Sequence, residues 1–144
     1  MQVFLSLILV SSLASIPTSY PVDGWIASDY GYRSSPFNPK KIEFHPGLDI
    51  AAPIGTPIYA TASGIVTFVG NEIGYGKLIE IAHKHGIVTR YGHNAKQFVK
   101  VGQRVHKGDR IGTVGNSGKV TGAHCHYEII VNGKYVNPQK FILQ

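Results

Sequence analysis

From Pro21 onward, apolar and polar positions alternate in short runs broken by glycines and prolines, a period of two that predicts strands. The clearest run is GAHCHYEIIV, Gly122 to Val131. There His124, His126 and Glu128 share one face, while Cys125, Tyr127, Ile129 and Val131 share the other. One face reads as core; the other carries two imidazoles about 7 Å apart along the chain. Upstream, GWIASDYGYR reads as a short strand and turn, and KKIEFHPGLDIAAPIGTPIYA as a loop entering a strand. GIVTFVG, GKLIEIAHKHG and IVTRYGH read as successive strands of an antiparallel meander. VKVGQRVHKGDRIGTVGNSG then spaces glycines between valines and isoleucines, NGK at 132–134 predicts a hairpin, and the tail NPQKFILQ a helical turn. The expected fold is mainly β, a single domain built on an antiparallel β-sheet, with no internal repeat and no interdomain linker after Pro21.

Composition supports this picture. The 144 residues are 43% hydrophobic and 15% charged, enough for one core, and 17 glycines with eight prolines suit many tight turns. The net charge of +6 favours an anionic neighbour: nucleic acid, a membrane surface or an acidic wall polymer. No basic run interleaves with exposed aromatics, so a nucleic-acid partner is not expected. The single cysteine, Cys125, permits no intramolecular disulfide, and its place on the apolar face predicts packing rather than nucleophilic chemistry.

The N-terminal stretch has a different character. Val3 to Val10 is apolar but too short to span a membrane, and Ser12 and Ala14 are spaced as at a signal-peptide cleavage site. No Lys or Arg precedes Arg33, so residues 1–20 read as a signal peptide or as an N-terminal extension, either the stub of a longer chain or the end of an apolar helix. The domain is expected to run from 21 to 144.

The candidate chemistry lies in three places: HPGLD at 45–49, RYGHN at 90–94, and HCH at 124–126. Pro46 and Gly47 rule against a helix, so His45 and Asp49 would have to converge through a loop running into a strand. Histidine nitrogen and aspartate oxygen suit Zn²⁺, and a third ligand from HCH would leave the fourth position open, as catalytic zinc requires. Against this, Asp49 could cap a turn and the histidines could be ordinary surface groups. The second H-x-H, His83 and His85, has a Lys-His-Gly end that reads as a hairpin turn and no nearby acid that completes a ligand set, and is read, with His106, as solvated turn chemistry.

These motifs resemble one family. H-x-x-x-D, a Y-G-H strand end and G-x-H-x-H-Y-E, with the flanking GYR, HPGLDIAAPIGTPIYA, VGQRVHKGDRIGTVGNSG and TGAHCHYE, are similar to the lysostaphin/LytM-type zinc endopeptidases that cut the peptides of bacterial peptidoglycan. The resemblance runs from Pro21 to Ile142, with Cys125 where the family commonly has leucine. It implies that His45, Asp49 and His126 bind one Zn²⁺ per chain, and that His93 and His124 stand beside the reacting water as catalytic residues. It further implies a groove over the sheet walled by loops, peptidoglycan stem or cross-bridge peptides as substrate, a monomer, and a location in the extracytoplasmic envelope or outside the cell. Glu128 would either support a ligand histidine or lie in solvent. Tyr30, Tyr32, Arg33, Asn94, Asn116 and Ser117 would line the groove or serve turn geometry.

Two other classes bear on the reading. A non-catalytic wall-binding or hydrolase-activating module of the same fold would show lost ligands, and here every such position is filled. The V-x-x-G-D-x-I rhythm also fits a biotinyl or lipoyl carrier, but no lysine has the carrier context and the histidines would go unexplained.

Overall fold

The computed structural model describes residues 13–118, 120 and 122–143. The apolar run Val3–Val10 and Ser12 lie outside the described residues. The strands are β1 (Trp25–Ser28), β2 (Gly31–Ser34), β3 (Ile42–His45), β4 (Leu48–Ala51), β5 (Pro57–Tyr59), β6 (Gly64–Glu72), β7 (Gly76–Ala82), β8 (Ile87–Gly92), β9 (Asn94–Gln97), β10 (Arg104–Val105), β11 (Arg110–Val114), β12 (His124–Val131) and β13 (Lys134–Val136). The protein is mainly β, as the alternation predicts. GWIASDYGYR holds two strands rather than one. Gly31, at φ 119°, begins β2, so β1 joins the main sheet while β2 pairs with β3.

The main sheet runs in the order β1-β4-β12-β8-β7-β6-β10, with β13 on the far end of β12, and its pairings are antiparallel. β6, β7 and β8 form the expected meander. Asn132 (φ 50°) and Gly133 (φ 81°) turn β12 into β13, the left-handed pair that a two-residue hairpin demands. Asn137 caps a short 3-10 turn at Pro138–Lys140 by accepting from the Gln139 amide.

A small sheet, β5-β11-β9, contributes Ile58, Ile111 and Val114 to one apolar cluster with Leu48, Ile50, Ile79, Ile81, Cys125, Tyr127 and Ile129. Cys125 is fully buried there and its thiol is pushed up by burial, as befits a packing residue. Within the core, Thr61 Oγ1 lies 3.1 Å from the Tyr91 hydroxyl and 2.7 Å from that of Tyr127, so neither phenol is left unpaired.

Residues 13–22 lie along the domain. Main-chain bonds run from Ser63 to Ala14, from Tyr59 to Pro21 and from Leu143 to Thr18, at 2.7, 2.7 and 2.9 Å. The Lys107 ammonium donates to the carbonyls of Leu13 and Ile16. None of residues 13–22 lines the groove described below. Among the described residues, no helix is long and apolar enough to cross a membrane.

Candidate metal centre

Strand register assembles the site. On the central strand β12, His126 lies directly opposite Asp49 of β4 on one side and Gly92 of β8 on the other. Directly opposed side chains of an antiparallel pair stand within about 5.5 Å at Cβ, so Asp49 and His126 meet without any adjustment of the backbone. His93 follows Gly92 immediately, and His45 ends β3 just before the Pro46-Gly47 corner that leads into β4. A Cβ on Gly47 would fall 2.5 Å from the Tyr127 carbonyl oxygen and 2.9 Å from His126 Cε1, so only glycine lets this corner press against β12.

The three expected ligand residues converge, and they are buried. His45 Nε2 lies 3.2 Å from Asp49 Oδ2 and 3.3 Å from His126 Nδ1, and His126 Nδ1 lies 2.8 Å from Asp49 Oδ1. Among the described residues, this is the one group of metal-ligating side chains whose donor atoms all fall within 4.8 Å of one another. Zinc bonds of about 2.0–2.2 Å at tetrahedral angles would set donor atoms roughly 3.3–3.6 Å apart, so a cation fits with a slight opening of the cluster.

The outer nitrogens complete the fit. His45 Nδ1 donates to the Asp29 carbonyl at 2.8 Å, and His126 Nε2 to Glu128 Oε2 at 2.8 Å. Each anchor fixes the tautomer that turns the other ring nitrogen, with its lone pair, toward the shared centre. Without a cation, His126 bridges two carboxylates as an imidazolium. Burial works against that charge, but the bonds to Asp49 and Glu128 outweigh it and lift the ring to about 9. Asp49 shows the same contest: burial alone would raise its carboxyl, yet the bonds from His126 and His45 hold it well below the usual range. A divalent cation would replace the shared proton.

The two remaining histidines flank this centre. His93 is buried with φ 62°, a left-handed conformation uncommon outside glycine, held by its amide on the Tyr75 carbonyl (2.8 Å) and its carbonyl on the Gly115 amide (3.0 Å). Its Nδ1 donates to the Ser117 carbonyl at 2.6 Å, leaving the Nε2 lone pair available. Burial lowers this ring to about 4, so it is neutral at ordinary pH. His124 donates from Nδ1 to the Gly122 carbonyl at 2.8 Å and sets Nε2 3.5 Å from Asp49 Oδ1. The His93 and His124 rings meet edge to face, 4.8 Å apart at their centroids.

His45, Asp49, His93, His124, His126 and Glu128 share one groove, lined also by Arg33, Phe37, Glu43, Phe44, Tyr75 and Val120. Arg33 Nη1 lies 3.4 Å from Asp49 Oδ2, and Nη2 3.4 Å from Glu43 Oε1. Several readings change. Glu128 is fully buried, not solvated, and binds His126, the Tyr75 hydroxyl and, at 3.5 Å, Arg90. Asn94 is also fully buried, spending its amide on the Tyr91 carbonyl. Ser117 acts through its main-chain oxygen, which accepts from His93, and its hydroxyl, which donates to the Asn94 carbonyl, and His83, read as a solvated turn residue, is half-buried on Ser63 and Thr89. Asp29 and Tyr75 escaped the sequence reading. Asp29 works through its backbone, which no residue type signals, and Tyr75 sits in a glycine-flanked turn far in sequence from its partner Glu128.

The sequence pattern of peptidase family M23 matches residues 43–138, a span that contains every one of these groups and of the groove's lining except Asp29, Arg33, Pro36 and Phe37. The chain belongs to peptidase family M23. This M23 chain is 45% identical over 123 residues to the peptidoglycan DD-endopeptidase ShyA of Vibrio cholerae, covering 84% of the chain and 29% of ShyA. It thus spans under a third of the curated relative. Its fold superposes on a zinc-containing peptidase from V. cholerae with a TM-score of 0.80 at 36% identity, covering 88% of this chain and 40% of that one. Lysostaphin from Staphylococcus simulans gives 0.77 at 28% identity, over 90% of this chain and 54% of that one.

Proposed function

We propose that this M23 domain is a zinc-dependent endopeptidase that hydrolyses cross-links or stem peptides of bacterial peptidoglycan. The observation that carries the reading is the buried His45–Asp49–His126 cluster, whose inner donor atoms converge while both outer imidazole nitrogens are already tied off. Nothing in a purely structural cluster calls for that orientation. The names and zinc content of the relatives support the same reading, as does the groove that exposes the cluster to an extended chain.

Zinc held by these three residues, one per chain, would supply a Lewis acid with an open position beside the groove. His93, neutral and with Nε2 unpaired, is placed to take a proton from an attacking water. His124, anchored through Nδ1, presents Nε2 to the same space and is suited to hold a developing oxyanion or return a proton to the leaving amine. Burial works against ionisation of Asp49, but its two histidines hold it ionised, which keeps it a ligand rather than an acid. The domain would act on the wall outside the cytoplasm, as a monomer.

The test is digestion of purified peptidoglycan followed by mass spectrometry of what is released. New peptide termini that vanish with a chelator and return with zinc are expected. Intact peptides on freed glycan fragments, or no release from walls of several cross-link types, would overturn the reading in favour of a binding or activating module.

A further inference from the structure

Tyr75 touches both halves of the site at once. Its hydroxyl lies 3.0 Å from Glu128 Oε1 and 2.9 Å from Oε2, and Glu128 Oε2 in turn accepts from His126 Nε2 at 2.8 Å. Its ring stands 5.7 Å from the His126 ring, centroid to centroid. Its main-chain carbonyl accepts the His93 amide at 2.8 Å, at a residue whose left-handed backbone needs such support. The turn itself is braced. Gly76 (φ 63°) presses so closely on the neighbouring loop that a Cβ there would fall 2.4–2.5 Å from the Ser117–Gly118 backbone. Ser117 is the residue that accepts from His93 Nδ1.

We propose that Tyr75 is the positioning residue that couples the two histidines, orienting His126 through Glu128 with its hydroxyl and fixing His93 with its main chain. This rests on reading His126 as a metal ligand, and not on any particular substrate. Glu128 is fully buried, and its other cationic neighbour, Arg90, stands off at 3.5 Å while bonding Glu80 at 2.7 Å. Apart from His126 itself, the phenol is therefore the close donor to the carboxylate, setting its plane, and that plane sets the direction of the His126 ring. Burial and the adjacent Glu128 charge keep the phenol protonated, so it donates throughout the ordinary pH range.

The experiment compares wild type, Tyr75→Phe, Glu128→Gln and the double variant for zinc affinity, by competition with a chromophoric chelator, and for the visible spectrum of the Co²⁺-substituted protein. Tyr75→Phe keeps ring and backbone. It is expected to weaken zinc binding about tenfold or more, shift the cobalt bands, and lower kcat with KM nearly unchanged. Glu128→Gln should cost at least as much, and the double variant no more than Glu128→Gln alone, because the hydroxyl acts through Glu128. Tyr59→Phe, on β5 away from the groove, should leave all of these unchanged. Wild-type zinc affinity and cobalt bands in Tyr75→Phe would overturn the proposal, as would fully additive losses in the double variant. A wild type that binds zinc but cuts no wall peptide would count against the proposed reaction and leave the affinity comparison to decide this one.

Discussion

His83-Lys84-His85 and His124-Cys125-His126 have the same spacing, and the fold uses them in opposite ways. His83 closes β7 and bonds the Ser63 carbonyl and the Thr89 hydroxyl, both neutral, so burial depresses its ring. His85 sits exposed in the following turn at φ 65°. His126 is more deeply buried, yet it faces two carboxylates, and its ring is raised instead. The difference lies in what strand register brings opposite: β4 sets Asp49 against His126, and β12 sets Glu128 two residues on along the same face. An imidazole becomes a metal ligand by its partners, not by its spacing.

The sharpest way to break the comparison is to remove the partner. Asp49→Ala, or His45→Ala, is expected to abolish both bound zinc and hydrolysis, measured by elemental analysis beside peptide release, whereas His83→Ala should keep both. Next in size, His93→Ala and His124→Ala should retain zinc while turnover falls roughly 10²–10⁴-fold. A stoichiometric loss of zinc in either would move that histidine into the ligand set.

The two motifs should also respond to pH with opposite signs. In metal-free protein, His126 is raised from 6.5 to about 9, so its contribution is complete below about pH 6.5 and is lost as pH climbs toward 9, roughly 3 kcal/mol in all. His83 is lowered, so it favours the fold above its ordinary value and loses that contribution on acidification. Urea midpoints of the metal-free protein should therefore fall between pH 6.5 and 9, and His126→Ala should flatten that limb. Zinc-loaded protein should lack it, because the cation takes the place of the proton. The smallest effect is expected from His83→Ala, about 1–2 kcal/mol of stability from lost hydrogen bonds, with zinc content and kcat intact.

Much of this was legible in the sequence. The alternation along 122–131 separates Cys125, Tyr127 and Ile129 from His124 and His126 as the structure does, and Asp49 lies on a strand as expected, whereas His45 ends β3 rather than lying in a loop. What stayed hidden depends on strands distant in sequence. Whether Glu128 is solvated turns on Tyr75 and Arg90 closing over it from the β6–β7 turn and β8, and no local pattern records that. His83 looked like a turn residue because the signal for a turn, Lys-His-Gly, starts one position later. For Asn94 and Ser117, which lie in turn-like segments near the motifs, the sequence left groove lining and turn geometry both open; Asn94 spends its side chain, and Ser117 both its carbonyl and its hydroxyl, on holding β8 and β9 in place.

The central claim is that His45, Asp49 and His126 hold one zinc ion. X-ray absorption at the zinc edge of the purified protein tests it most directly. The account predicts only nitrogen and oxygen neighbours at about 2.0–2.2 Å, with scattering from two imidazoles that in His126→Ala either falls to that of one ring or disappears with the zinc itself. A sulfur neighbour at about 2.3 Å, or a spectrum unchanged by His126→Ala, would contradict it.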